Sequence, residues 1–208
     1  MKIAVISETS AADKNRDIIK ALENTEHTIL NCGMKDKGEQ PELQYIHTGF
    51  MAAFLLNTHL VDFVIGGCGT GQGFLNAAMQ YPGVFCGLIR EPLDGWLFTQ
   101  INGGNCISLA LNHGYGWAGD VNLRFVLERL FSVNSGSGYP ETRKVPQQES
   151  KNVLLNISEL AHRPFSEIIK RLPAAIVQPV LNHLVLSKIL NVSEIKNVDL
   201  RESINEMI

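Results

Sequence analysis

The sequence predicts an α/β fold: a three-layer α/β/α, Rossmann-like parallel sheet with a small helical C-terminal extension. Two observations predict it. Short apolar segments of strand length alternate with stretches of helical spacing over residues 1–131, which is the pattern of βαβ units. Residues 149–208 carry helical spacing alone. Because βαβ crossovers are right-handed, the helices of the first part should cover both faces of the sheet.

Five apolar segments have the length and composition of strands. The clearest is Phe63–Ile65, a β-branched and aromatic run beside glycines, which is typical of a strand buried on both faces of a parallel sheet. The five predicted strands are Lys2–Ile6, His27–Asn31, Phe63–Ile65, Val84–Ile89 and Cys106–Leu111. Between and after them, apolar side chains recur on one helical face, which predicts helices around residues 18–22, 46–56, 74–79 and 120–131.

The stretch Ser132–Ser150 is polar and rich in turn formers, so it is predicted to be a surface segment. We place a boundary near Gln148, between an α/β domain of residues 1–148 and a helical extension of residues 149–208. The extension should contain helices over residues 154–161, 164–172, 174–190 and 192–207, with Pro164 starting one and Pro173 ending it. Its basic residues are diluted by acidic ones, which favours a packing or dimerisation role over DNA binding.

Composition narrows the class of ligand. The chain of 208 residues is 45% hydrophobic, enough for one full core, and its formal net charge of −3 offers no basic field for nucleic acid. No apolar run approaches the roughly 20 residues that a membrane helix needs.

Four dispersed cysteines and an N-terminus that reads directly as a strand indicate a reducing, cytoplasmic setting. Three of them, Cys32, Cys86 and Cys106, are expected to act as small hydrophobes.

The most informative segment is Val61–Ala78, where the predicted third strand ends in a glycine-rich turn that holds Cys68. The amides of Gly69 to Gly73 should lie near a helix N-terminus, an environment that favours an anion or a developing oxyanion. The same environment lowers the pKa of a thiol, so Cys68 is either a reactive thiolate or a space-filling side chain at the strand end. The local sequence leaves both readings open.

This turn differs from two nucleotide-binding motifs. The glycines of Gly69-Thr70-Gly71-Gln72-Gly73 fall on alternate positions, so the third glycine of a dinucleotide-binding Gly-x-Gly-x-x-Gly is missing, although Glu91 stands where a ribose-binding acid is expected. A P-loop is excluded because no Gly-Lys-Ser/Thr follows the turn.

Several motifs together resemble a known family. They are Val61-Asp62, Gly67-Cys68-Gly69-Thr70-Gly71-Gln72-Gly73, Asn76-Ala77, Pro82-Gly83-Val84, Arg90-Glu91-Pro92 and Asn102-Gly103-Gly104-Asn105. Over roughly residues 1–145 the chain resembles the type B ribose-5-phosphate isomerase and galactose-6-phosphate isomerase family. The resemblance implies an aldose–ketose isomerase that works through a cis-enediolate without a cofactor or metal, with ribose 5-phosphate as the default substrate.

The resemblance also assigns site residues. Cys68 matches the base that moves a proton between neighbouring carbons, and Thr70 matches the residue that assists proton movement between oxygens. Backbone amides of the turn would hold the enediolate charge. The positions matched to substrate binding are Ser7, Glu8, Tyr45, His47, Gly69, Gly71, Gly73, Asn102 and Arg143. The family also implies a homodimer, or a dimer of dimers, with a composite active site.

The chain departs from the family where a sugar ring would be opened. Thr9 and Ile101 stand in place of two histidines, and Tyr139 in place of a second phosphate-binding arginine. A longer loop, Asn112–Trp117, replaces a short charged turn, and Trp96, Tyr115 and Trp117 could offer stacking surface. The alternatives are an isomerase of another hexose phosphate or of an open-chain sugar derivative, or a non-catalytic sugar-phosphate sensor.

Overall fold

The protein is described by a computed structural model over residues 1–207. At its centre lies a five-stranded, all-parallel sheet with strand order β2-β1-β3-β5-β4. The α/β class and the five predicted strands are confirmed, and six of the ten strand ends differ by one to three residues from their predicted positions. The strands are β1 (Lys2–Ser7), β2 (Thr28–Gly33), β3 (Phe63–Cys68), β4 (Cys86–Ile89) and β5 (Cys106–Ala110).

Helices cover both faces of this sheet, as predicted. One face packs against α1 (Asn15–Leu22) and α5 (Gly119–Leu130), with α4 (Pro92–Leu97) beside α5. The other face packs against α2 (Tyr45–Asn57) and α3 (Gln72–Ala78). Alternate residues of β3 therefore enter different clusters, and Cys68 belongs to the cluster on the α2 and α3 side.

Glycine in β3 allows α3 to pack closely on the sheet. A Cβ atom on Gly66 would lie 2.0 Å from the Phe74 ring, which is far inside contact distance. Phe74 is fully buried on this strand, so the helix that follows the Cys68 turn is held directly against the strand that precedes it.

Five helices follow the sheet: α6 (Lys144–Ala161), α7 (Phe165–Arg171), α8 (Ala174–Leu181), α9 (Leu184–Ile189) and α10 (Val198–Asn205). Pro164 and Pro173 are extended residues that immediately precede α7 and α8. The predicted helix of residues 174–190 is divided at Asn182 and His183.

No helix among residues 1–207 is long and apolar enough to cross a membrane.

The segment predicted to be a surface connection is partly helical. Helix α6 begins at Lys144 and runs without interruption through Gln148, the predicted boundary. The non-helical part of the segment therefore ends before Lys144, earlier than predicted. Pro146 lies in its first turn, where a missing amide proton costs no helical hydrogen bond. The later helices share one apolar cluster with α2, through Phe165, Ile169, Val177, Val180, Leu181, Leu186, Ile195, Leu200 and Ile204.

Candidate active site

Cys68 is the last residue of β3, at the carboxyl edge of the sheet, with only 6% of its surface exposed. Its carbonyl oxygen accepts hydrogen bonds from the amides of Gly71, at 3.3 Å, and Leu111, at 3.0 Å. The backbone that carries the thiol is therefore fixed both to its own turn and to the end of β5.

Gly71 caps α3 in the left-handed region, with a φ of 76°. The positive φ favours glycine, and a Cβ atom here would also lie 2.5 Å from a methyl carbon of Leu88, which would have to move. The Ser108 hydroxyl donates to the Gly71 carbonyl at 2.5 Å. Beside it, Thr70 is exposed, and its hydroxyl oxygen accepts from the Gln72 amide at 3.3 Å.

Ser10 ties the turn to the end of β1. Its hydroxyl oxygen accepts from the Gly69 amide at 2.9 Å, and its own proton is donated to the Glu8 carboxylate. Glu8 is almost fully buried and also accepts from the Ser10 amide at 3.0 Å. Asn112 completes the connection, since its side chain donates to the Ser10 carbonyl at 2.6 Å and its amide to the Gly69 carbonyl at 2.9 Å.

These bonds decide which amides of the turn are free. The Gly69 amide is occupied by Ser10 and the Gly71 amide by the Cys68 carbonyl. Within residues 1–207, the amides of Thr70 and Gly73 donate to no other group. Because preorganised amides stabilise developing negative charge, these two are the donors that the turn offers to an oxyanion.

Sequence reasoning missed Ser10 and Asn112. The signal that points to them is topological: β1, β3 and β5 are neighbours, so residues just beyond their carboxyl ends meet at one edge. Ser10 and Asn112 each lie two or three residues beyond a strand end, as Thr70 does.

Ser7 lies beneath this edge. It is fully buried, and its hydroxyl accepts from the Asn15 side chain at 3.1 Å, which in turn donates to Asn31 at 2.9 Å. The geometry places the predicted substrate residue Ser7 in a buried polar network that joins β1, α1 and β2.

Tyr45 and His47 lie in the first turn of α2, on the same side of the sheet as Cys68. The Tyr45 ring packs on the turn: a Cβ atom on Gly73 would lie 2.9 Å from Tyr45 Cγ. Both ring nitrogens of His47 are instead engaged away from the turn: Nδ1 accepts from the Gln44 amide at 3.0 Å, and Nε2 lies 3.1 Å from the Ala175 carbonyl oxygen.

The structure does not bring Asn102 and Arg143 to Cys68 within one chain. Asn102 ends a π-helical turn, Phe98–Asn102, that leads into the amino end of β5, whereas Cys68 pairs with Ala110 at the carboxyl end. Val64 and Cys68 are four residues apart in β3, so the two ends of this strand pair are separated by about 13 Å. Arg143 is exposed immediately before α6, which packs beside the same π-helical turn.

Of the three aromatic residues proposed for stacking, two are engaged elsewhere. The Trp96 ring meets Tyr139 edge to face, with 5.0 Å between ring centroids. The Tyr115 hydroxyl donates to Asp17 at 2.5 Å, and burial together with this carboxylate raises the pKa of Tyr115. Trp117 is fully exposed in the loop after β5.

The remaining cysteines fit the small-hydrophobe interpretation. Burial raises the pKa of Cys32 to about 12, and burial with the neighbouring Cys86 thiol raises the pKa of Cys106 well above its usual value. Within residues 1–207, no three His, Cys, Asp or Glu side chains form a group that could hold a metal ion.

A sequence model described as Ribose/Galactose Isomerase matches residues 3–126, more than half of the chain. The chain belongs to the ribose/galactose isomerase family. It is therefore a sugar isomerase, an intramolecular oxidoreductase, and the predicted family is confirmed. None of the curated proteins compared with the chain matches it.

Two solved structures align with 99% or more of the chain. One is a ribose-5-phosphate isomerase from Vibrio parahaemolyticus, with 37% identity, a TM-score of 0.93, and coverage of 100% of this chain and 99% of its own. The other is a 4-deoxy-L-threo-5-hexosulose-uronate ketol-isomerase complexed with a tartrate, with 34% identity, a TM-score of 0.92, and coverage of 99% and 98%.

A shorter relative shares the fold alone. The type B ribose 5-phosphate isomerase of Trypanosoma cruzi has 19% identity and a TM-score of 0.64. The alignment covers 78% of this chain and 100% of that protein's chain. The remaining 22% of this chain lies outside the aligned part.

Proposed function

We propose that this chain interconverts an aldose and a ketose through a cis-enediolate, with Cys68 as the base. The observation that carries the proposal is the fixed backbone of Cys68 at the sheet edge, followed in the same turn by the free amides of Thr70 and Gly73. The Cys68 thiolate takes the proton from C2 of the aldose, and the thiol then returns it to C1. A base next to preorganised amide donors is what enolisation requires.

The oxygen atoms need a second proton transfer, from the C2 hydroxyl to the C1 oxygen. Thr70 carries the hydroxyl suited to this step, because it is exposed on the turn and its own backbone amide is one of the two free donors. Ser10 and Glu8 hold the Gly69 side of the turn, so they support the geometry in which Cys68 and Thr70 act.

For the substrate, we propose an open-chain, carboxylate-bearing hexose derivative in preference to ribose 5-phosphate. Thr9 and Ile101 have no group that opens a furanose ring at neutral pH. A 4-deoxy-5-hexosulose uronate, the compound in the name of one full-length relative, has no C4 or C5 hydroxyl with which its aldehyde could form a furanose or pyranose ring. An enzyme for such a substrate has no need of ring-opening histidines.

We further propose that the active site is completed by a second copy of the chain. Asn102 and Arg143 lie away from Cys68 of their own chain but on the same side as α6. That helix exposes an apolar stripe, since Val153, Ile157 and Leu160 recur at helical spacing and are 56%, 51% and 88% exposed. Pairing through this stripe would bury it and would carry Asn102 and Arg143 toward the partner's Cys68.

Solvent exchange tests the reaction and the substrate together. The protein is incubated in D2O with the 4-deoxy-5-hexosulose uronate or with ribose 5-phosphate, and deuterium at C1 and C2 is followed by NMR. We expect exchange and turnover with the uronate, loss of both by at least about a hundredfold in Cys68→Ser, and retention in the matched Cys86→Ser control. Faster turnover of ribose 5-phosphate would overturn the substrate assignment, and the absence of exchange with both sugars would overturn the isomerase mechanism.

A further inference from the structure

The helices after α6 pack on the beginning of α2. The Phe165 ring of α7 stacks on Phe50 of α2, with 6.2 Å between centroids, and meets Tyr81 edge to face at 6.1 Å. Val177 and Val180 of α8 are buried in the same cluster. The C-terminal helices therefore bear directly on the element that carries Tyr45 and His47.

His47 uses both of its ring nitrogens within the chain. Nδ1 accepts from the Gln44 amide, so the proton of the neutral ring lies on Nε2, which donates to the Ala175 carbonyl at 3.1 Å. A neutral imidazole has one donor and one acceptor, so this ring has no hydrogen-bonding group left for a substrate.

Tyr45, two residues before His47, packs against the Cys68–Gly73 turn. Its ring base lies so close to Gly73 that a Cβ atom there would collide with Cγ at 2.9 Å, and 46% of the residue remains exposed at the edge. Tyr45 is the first residue of α2, so the position of its ring depends on the position of the first helical turn. The bond from His47 to Ala175 connects that turn to α8.

We propose that the C-terminal helices clamp the first turn of α2 through His47 and thereby set the position of Tyr45 over the Cys68–Gly73 turn. His47 is then a positioning residue and Tyr45 the side chain through which it acts. The catalytic readout of this proposal rests on the proposed isomerase function.

A second contact supports the clamp from the neighbouring strand. His183, between α8 and α9, donates from Nε2 to the Gly33 carbonyl at 3.2 Å. Gly33 ends β2 and abuts the backbone of Ser7, since a Cβ atom on Gly33 would lie 2.6 Å from the Ser7 carbonyl oxygen. The segment of α8, His183 and α9 is thus hydrogen-bonded both to the first turn of α2 and to the end of β2 beside β1.

Asparagine and glutamine separate the two bonds of His47. His47→Asn keeps an acceptor near Nδ1 but is too short to reach Ala175, whereas His47→Gln places a donor near Nε2. We expect His47→Asn to lower kcat about tenfold, and His47→Gln to remain within about threefold of the wild type. Equal losses in the two variants would overturn the clamp.

A double-mutant cycle with Tyr45→Ala tests whether His47 acts through Tyr45. If it does, adding His47→Asn to Tyr45→Ala changes kcat by less than about twofold, because the ring to be positioned is already gone. The same tenfold loss in both backgrounds would show that His47 acts by another route and would overturn the positioning role.

Amide hydrogen exchange reads the clamp without turnover. We expect His47→Asn to raise the exchange rates of the α2 amides from Thr48 to Phe50 by about tenfold, and His47→Gln to raise them less. If the wild-type protein isomerises no sugar, the proposed function fails while this measurement still decides the clamp. Unchanged exchange in His47→Asn would overturn the clamp even in an active enzyme.

Discussion

The Ser10 hydroxyl oxygen accepts a hydrogen bond from the Gly69 amide at 2.9 Å, across 59 residues of chain. This bond joins the end of β1 to the turn that follows Cys68, and Glu8 orients the hydroxyl by accepting its proton. The turn is thus held from outside by a side chain, in addition to its own Gly71 amide to Cys68 carbonyl bond.

Ser10→Ala should reduce catalysis more than stability. It leaves the Gly69 amide without its partner, which costs about 1–2 kcal/mol of unfolding free energy, and it loosens the position of the thiol. We expect kcat to fall about tenfold to a hundredfold, measured by NMR turnover, with Ser10→Thr as the matched control that keeps the hydroxyl. Equal activity in the alanine variant and the wild type would contradict a role for this bond.

Gly71→Ala should both destabilise the protein and disable it. A side chain at a φ of 76° is strained, and here its Cβ atom would also lie 2.5 Å from Leu88. We expect a loss of about 2–4 kcal/mol in urea unfolding. Gly114→Ala is the control, because its φ is 79° but no atom lies within 4 Å of an added Cβ. Similar losses in the two variants would mean that backbone strain alone matters.

The sequence was sufficient for the layout of the sheet and for the place of Cys68, because a buried parallel strand ending in Gly-Cys-Gly has a local signature. It was insufficient where the deciding partner is distant. Ser10 receives its role from Gly69, and His47 from Ala175, across 59 and 128 residues. The start of α6 was missed because Val145 is the only aliphatic residue of Lys144–Ser150 apart from Pro146, so that no apolar spacing marks it as helix.

His183 should make the protein less stable in mild acid. Its ring is neutral in the fold, donating to Gly33 and accepting from the Val185 amide at 3.3 Å. Burial lowers the pKa of His183, and nearby Lys35 adds to this, while the Gly33 bond and Glu39 oppose it. The unfolded chain, with a pKa near 6.5, therefore binds the proton more readily, so stability is full above that pH and falls as the pH drops through the lower folded pKa.

Urea unfolding between pH 5 and pH 7.5 checks this sign. We expect His183→Gln, which retains a donor toward Gly33, to lose about 1 kcal/mol at pH 7.5 and to show a smaller decline toward pH 5 than the wild type. The pKa of His27 is also lowered, but His27 is present in both proteins and its contribution cancels in the comparison. An unchanged pH slope would contradict the role assigned to His183.

Leu160→Glu tests the proposed pairing of two chains through α6. Leu160 is 88% exposed, so a charge there costs little within one chain but is unfavourable where two apolar stripes meet. We expect the wild type to sediment as a dimer, and the variant to become monomeric and lose at least about tenfold in kcat, because Asn102 and Arg143 of a partner no longer reach Cys68. Leu184→Glu, at a residue that is 73% exposed on α9, is the matched control and should remain dimeric and active. A monomeric wild type with full turnover would show that each chain completes its own site.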